Sequence, residues 1–177
     1  MTPLPPFVPG TAWTVWRLEN SKYVDEWHKA EGAFRFGGRW NSPGTRILYT
    51  SIDPATTILE AAVHKGFDAL DTVAHDLLEI TISDLAAAHV VRPEDVPNAH
   101  WLRPGAVSTN QQAFADALLG EHAIVLIPSV VSAHSWNVLI DAVAAAGLLS
   151  KTHQERFALD PRLTQGASYQ PRAPRAG

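Results

Sequence analysis

Apolar and polar positions alternate through "TAWTVWRLE" (11–19), and its aromatic and β-branched content predicts a strand with Arg17 at its centre. The same pattern predicts strands at "RILYTSI" (46–52), "DLLEITIS" (76–83) and "SWNVLIDAV" (135–143). The continuous apolar run "AIVLIPSVVS" (123–132) reads as a buried strand broken by Pro128. Helical signals are strongest in "DPATTILEAAVHKGF" (53–67), where Asp53 caps, Pro54 takes the first helical position and Gly66 follows the last turn. "TNQQAFADALLG" (109–120) also reads as a helix, and Tyr23–Lys29 as a short one. "EGAFRFGGRWNSPG" (31–44) predicts a loop or hairpin, and "DLAAAHVV" (84–91) fits either regular form. The proline density of residues 92–108 predicts a long surface connection.

Four prolines among the first nine residues predict an extended arm over 1–10, with order starting near Thr11. A single domain over 11–165 follows, and a disordered tail over 166–177. There is no internal repeat, and helices and strands alternate too irregularly for a doubly wound sheet. The expected class is α+β, with mostly antiparallel sheets and flanking helices.

The 177 residues suffice for an ordinary core, and the absence of cysteine excludes disulfides and thiolate zinc sites. Eighteen acidic against fourteen basic residues give a charge of -4, without the basic field that draws proteins to nucleic acid or anionic lipid. No run of apolar residues is long enough to span a bilayer, and the start lacks the pattern of a signal peptide. The expectation is a soluble cytoplasmic protein with no direct nucleic-acid or membrane partner.

Glu60 is a carboxylate on an otherwise apolar helix, costly if it points inward without a partner, and His64 offers it a surface partner at i,i+4. Metal-ligand spacing is missing around that pair. Arg17 faces either solvent or a cleft. Arg39 follows Gly37 and Gly38, where a backbone approaches a phosphate closely, although a plain turn explains the glycines as well. Trp40 is either core or the wall of a pocket for a flat ring. Ser129 lacks the surroundings of a hydrolase nucleophile, and Ser108 stands where a helix cap belongs.

The order of these segments resembles one family, the RES-domain toxins, named for an arginine, a glutamate and a serine. The resemblance runs from "VWRLENSKY" through "GAFRFGGRWNSPGTRILYTS", "ATTILEAAVH", "STNQQAFADALL" and "AIVLIPSVV" to "SWNVLID" and "FALDPRL", covering Val15 to Leu163. It departs after Asn137, where "VLIDAVAAAG" replaces the family's usual asparagine-proline and histidine, and Ser135 with Trp136 replaces a more usual acidic or polar pair.

The resemblance implies a fold similar to the ADP-ribosyltransferases and a toxin that destroys NAD+ by cleaving its nicotinamide–ribose bond, as glycohydrolase or phosphorylase. It implies Glu60, Arg17, Tyr49 and Ser129 as catalytic, and Arg17, Arg39, Tyr49, Ser108 and Trp40 as NAD+-binding, with the family serine open between Ser129 and Ser108. NAD+ would be substrate rather than cofactor, inorganic phosphate a possible co-substrate, and no metal is called for. The implied partner is an Xre-like DNA-binding antitoxin that covers the site, with a toxin homodimer inside a larger complex. Alternatives are transfer of ADP-ribose to a protein, and a non-catalytic interaction module on the same fold.

Overall fold

The computed structural model describes residues 1–4, 6–86 and 88–163, so the tail expected at 166–177 lies outside the described residues. Among them, seven strands form one sheet: β1 (Trp13–Asn20), β2 (Ile47–Ser51), β3 (His75–Ile82), β4 (His89–Val90), β5 (Ile124–Pro128), β6 (Trp136–Asp141) and β7 (Leu149–Phe157). Their order is β4-β5-β6-β2-β1-β3-β7, and every pairing is antiparallel except β4 with β5. The α+β class with mostly antiparallel strands is therefore present, as one sheet rather than several.

That sheet is pinched at its centre. β1 pairs with β3 over eight positions and β2 with β6 over five, yet β1 and β2 share one, Trp16 opposite Ser51. Beyond that contact the two halves diverge, which leaves backbone groups there for side chains to satisfy.

Alternation along the strands sorts the core. Val15, Leu48, Leu78, Leu126 and Val138 meet on one face, joined by Val24 and Trp27 from the 3-10 segment Ser21–Lys29. On the other face the core divides in two. Ile47, Val125, Ile127 and Leu139 pack with Ala115 and Leu119 of the helix Thr109–Glu121 (α4). Leu18 and Leu77 pack with Ala62 and Leu70, from the helices Pro54–Lys65 (α2) and Phe67–Thr72 (α3).

Three expectations change. "EGAFRF" is a helix, α1 (Glu31–Phe36), entered through Ala30 in the left-handed region and braced by Arg35 Nε donating to Glu31 at 2.7 Å. Among its described residues the N-terminal arm has no regular structure, but it is docked. Thr2 N donates to His134 O at 2.6 Å and Trp136 Nε1 donates to Thr2 O at 2.8 Å, so order does not wait until Thr11. β7 is a strand that the apolar pattern does not predict, because "LSKTHQERF" is largely exposed and polar. Its charges and the bulge opposite Glu79/Ile80 are what an open sheet edge uses to refuse a further strand. No helix among the described residues is long and apolar enough to cross a membrane.

One buried group makes stability depend on pH. His75, 2 % exposed, donates from Nδ1 to Val73 O at 2.7 Å, leaving Nε2 as acceptor for Lys65 Nζ at 3.2 Å. Burial and the Lys65 charge push its pKa below the ordinary value. The unfolded chain therefore takes up this proton first, and stability should fall as pH drops below about 6.5, by at most about 1.4 kcal/mol per unit. Urea unfolding at pH 7, 6 and 5 should show that slope, and His75→Asn should flatten it.

Candidate active site

The helix α2 is pinned at its start. Asp53 Oδ1 accepts from Thr56 N at 2.8 Å, and Asp53 Oδ2 accepts from Thr56 Oγ1 at 2.7 Å and Ser135 Oγ at 2.8 Å. Thr57 Oγ1 donates to Trp16 O at 2.9 Å, tying the helix to β1 beside Arg17. One turn later the half-buried Glu60 faces the strands.

Its partners are Ser129 and Asn137, not His64. Glu60 Oε1 accepts from Ser129 Oγ at 2.8 Å and from Asn137 Nδ2 at 2.5 Å. Ser129 stands where Pro128 ends β5, and its Oγ also accepts from Ser132 N at 2.9 Å. Asn137 Oδ1 accepts from Ser51 Oγ at 2.8 Å, in a ladder register that sets these two residues opposite each other. Ser51, Ser129 and Asn137 are all buried. Among the described residues, Oε2 receives no hydrogen bond. The carboxylate is thus fixed through one oxygen and free to meet developing positive charge with the other. A cavity of about 260 Å³, lined by Asp53, Thr56, Leu59, His134 and Ser135 among others, adjoins this group at Ser132.

Arg17 occupies the divergence between β1 and β2. Nη1 donates to the Tyr49 carbonyl at 3.0 Å, and Nε and Nη2 donate to Glu19 Oε2 at 2.9 and 2.6 Å. Two residues along β2 from Tyr49, Ser51 enters the Glu60 group, so this one strand links the arginine to the carboxylate. Among the described residues no hydrogen bond or ion pair joins Arg17 to Glu60.

The glycine loop closes over Tyr49. A Cβ on Gly38 would collide with the Tyr49 ring and hydroxyl, and Gly37 has φ 69°, so neither position suits a larger residue. The Tyr49 hydroxyl accepts from Trp40 N at 3.0 Å and donates to Asn41 Oδ1 at 2.8 Å. Burial raises its pKa and keeps it protonated. α4 holds the loop from the other side: Gln112 Nε2 donates to Gly38 O at 2.8 Å, and Asp116 Oδ1 accepts from Ser42 N at 3.1 Å. Gly38→Ala should cost about 1–3 kcal/mol of stability by forcing this stack apart, read as a lowered urea midpoint at unchanged slope.

Arg39 projects from that clamped loop and donates from Nη2 to Gly105 O at 3.0 Å. Two expectations need correction. Trp40 is 1 % exposed in the core between sheet and α4, so it walls no pocket. Ser108 Oγ accepts from Gln111 N at 3.2 Å and caps α4, and among the described residues it makes no hydrogen bond to Glu60, whereas Ser129 does. Arg46, across the loop from Arg39, is a brace: it donates to Lys29 O and Glu31 Oε2 and lies over Phe34. Sequence reasoning missed Asn137, Ser51, Gln112 and Asp116, whose signal exists only once strands and α4 are placed.

The chain is similar to several known proteins. The chain is 26% identical over 154 residues to "Toxin Res" of Photorhabdus laumondii, covering 85% of this chain and 97% of that protein. It is 30% identical over 139 residues to the "Prs ADP-ribosylating toxin" of Sphingobium sp., covering 77% and 86%. Among solved structures, the crystal structure of the M. tuberculosis MbcT-MbcA toxin-antitoxin complex contains a chain with a TM-score of 0.69, 22% identity and 89% coverage of both chains. That likeness is one of fold. Residues 14–160 match the family described as RES domain, and the chain belongs to that family.

Proposed function

We propose that this protein is the toxin of a toxin–antitoxin pair and that it depletes NAD+ by breaking the nicotinamide–ribose bond. The observation that carries this reading is the half-fixed carboxylate of Glu60, with Oε1 held by Ser129 and Asn137. Cleavage sends the bonding electron pair to the nicotinamide nitrogen, which leaves neutral, and positive charge grows on the ribose carbon and its ring oxygen. A carboxylate held beside that carbon stabilises the charge, as in glycoside cleavage. Water or inorganic phosphate then adds to the carbon; water loses a proton as it does so.

The pyrophosphate takes the two arginines. Arg17 keeps unspent donors in the strand divergence, and Arg39 stands on a loop already clamped by Tyr49 and α4. Tyr49 serves first as the anchor of that loop, and its ring lies between it and the strands. No metal is invoked in this chemistry, and NAD+ is consumed as substrate.

Relatives with toxin names, and a fold shared with a chain of a toxin-antitoxin complex, support an antitoxin as partner. We assign it as an Xre-like protein that covers the cleft, and the cytoplasm as the place where NAD+ is drained. Pure protein incubated with NAD+, with and without phosphate, tests the reaction. ADP-ribose and nicotinamide identify hydrolysis; ADP-ribose-1″-phosphate identifies phosphorolysis; unchanged NAD+ overturns the reading. The 30% identical relative named as ADP-ribosylating favours a second reading, transfer to a protein. Added ADP-ribose in intact masses of cell proteins would select it.

A further inference from the structure

Glu19 makes the closest contact to the arginine on which substrate binding rests. We infer that Glu19 is the positioning residue for Arg17, holding its guanidinium so that a pair of terminal N–H groups faces the substrate's pyrophosphate. This rests on the reading that the protein binds NAD+ through Arg17.

Residues 17 and 19 lie two apart on β1, so their side chains emerge on the same face. Glu19 Oε2 takes both N–H groups of one guanidinium edge, from Nε at 2.9 Å and Nη2 at 2.6 Å. The Tyr49 carbonyl takes one from Nη1 at 3.0 Å. A guanidinium has five N–H donors, and among the described residues these bonds use three, leaving one on each terminal nitrogen. Such a pair suits two oxygens of a phosphate.

Glu19 itself cannot swing freely. Its Oε1 accepts from Asn20 N at 2.9 Å, fixing the carboxylate to its own strand. The side chains of Arg17 and Glu19 are 19 % and 13 % exposed, so solvent competes little for these bonds. Glu19 is also within electrostatic reach of a second cation, Lys65, whose charged form it favours against the effect of burial. With Asp76 opposite Glu19 on β3 and Arg156 beside Asp76, three cations stand against two carboxylates, so Glu19 orients Arg17 without cancelling the site's attraction for an anion.

The rival possibility is that Glu19 competes with substrate for Arg17. The two give opposite signs. Glu19→Gln keeps size and an acceptor while removing the charge, and Arg17→Lys keeps a cation opposite Glu19 while removing the fork, so neither strips a buried charge of all partners. NAD+ affinity by calorimetry, kcat and KM are measured for the parent, both single variants and the double variant, with melting curves as the check on folding. Glu19→Gln should raise Kd and KM about tenfold, the loss of about 1.4 kcal/mol of binding, with kcat within about threefold. In the Arg17→Lys background it should cost nothing further, because no fork remains to orient. Tighter or unchanged NAD+ binding in Glu19→Gln overturns the inference, as does a full additional loss in the double variant, which would make Glu19 independent of Arg17. A parent protein that fails to bind NAD+ would remove the functional reading and this inference with it, an outcome distinct from a normal parent with an unaffected Glu19→Gln.

Discussion

Glu60→Gln should abolish NAD+ consumption while the protein remains folded. Glutamine keeps the length of the side chain and an amide oxygen that can still accept from Ser129 and Asn137, so the contacts that hold position 60 largely survive. What disappears is the negative charge on the oxygen left open toward the substrate. In the ground state the positive charge sits on the nicotinamide ring, and in the transition state it moves onto the ribose carbon and ring oxygen that this oxygen faces, so its removal falls on kcat more than on KM. Loss of one fixed electrostatic partner of this kind costs on the order of 10²-fold or more in rate. Product formation followed by mass, beside a melting curve, checks both halves of the expectation. A parent-like rate in Glu60→Gln would displace Glu60 from the mechanism.

The ease of finding Glu60, set against the difficulty of finding Asn137, shows which parts of this site a sequence exposes. Helix α2 announces itself locally, through Asp53, Pro54 and Gly66, and a carboxylate among Ile58, Leu59, Ala61 and Ala62 stands out against its neighbours. Asn137 and Ser51 look like ordinary polar residues of strands. Their meaning comes from a register that sets them opposite each other across β2 and β6, a non-local pairing that no short window contains. The choice between Ser129 and Ser108 is open in the sequence for the same reason: both follow plausible local signals, and only the fold brings the residue after β5 within a hydrogen bond of Glu60. Strand β7 shows the converse. Its polar residues satisfy the demands of a sheet edge, and those demands suppress the alternation by which a strand is recognised. α1 was hidden by the glycines that follow it, which belong to the loop over Tyr49 and not to the helix.

Arg17→Lys should weaken NAD+ binding and lower kcat/KM by about 10- to 100-fold, the range expected when charge-assisted hydrogen bonds worth about 1.5–3 kcal/mol are lost. A lysine retains a positive charge near Glu19, so the half-buried carboxylate keeps a counterion and the fold keeps its electrostatic balance. It cannot, however, serve Glu19, the Tyr49 carbonyl and a phosphate together, because three donors on a single nitrogen diverge where the guanidinium spreads its five across a plane. A clamp grips ground state and transition state alike, so the loss should appear chiefly in KM and in the calorimetric affinity, in contrast to Glu60→Gln. Arg17→Ala should bind no better and should also melt earlier, since it leaves Glu19 without Arg17 and the Tyr49 carbonyl without its donor at the point where β1 and β2 part. Unchanged NAD+ affinity in Arg17→Lys would mean that this arginine closes the strand divergence and does nothing for substrate, and the pyrophosphate would then have to be held from the Arg39 side of the cleft.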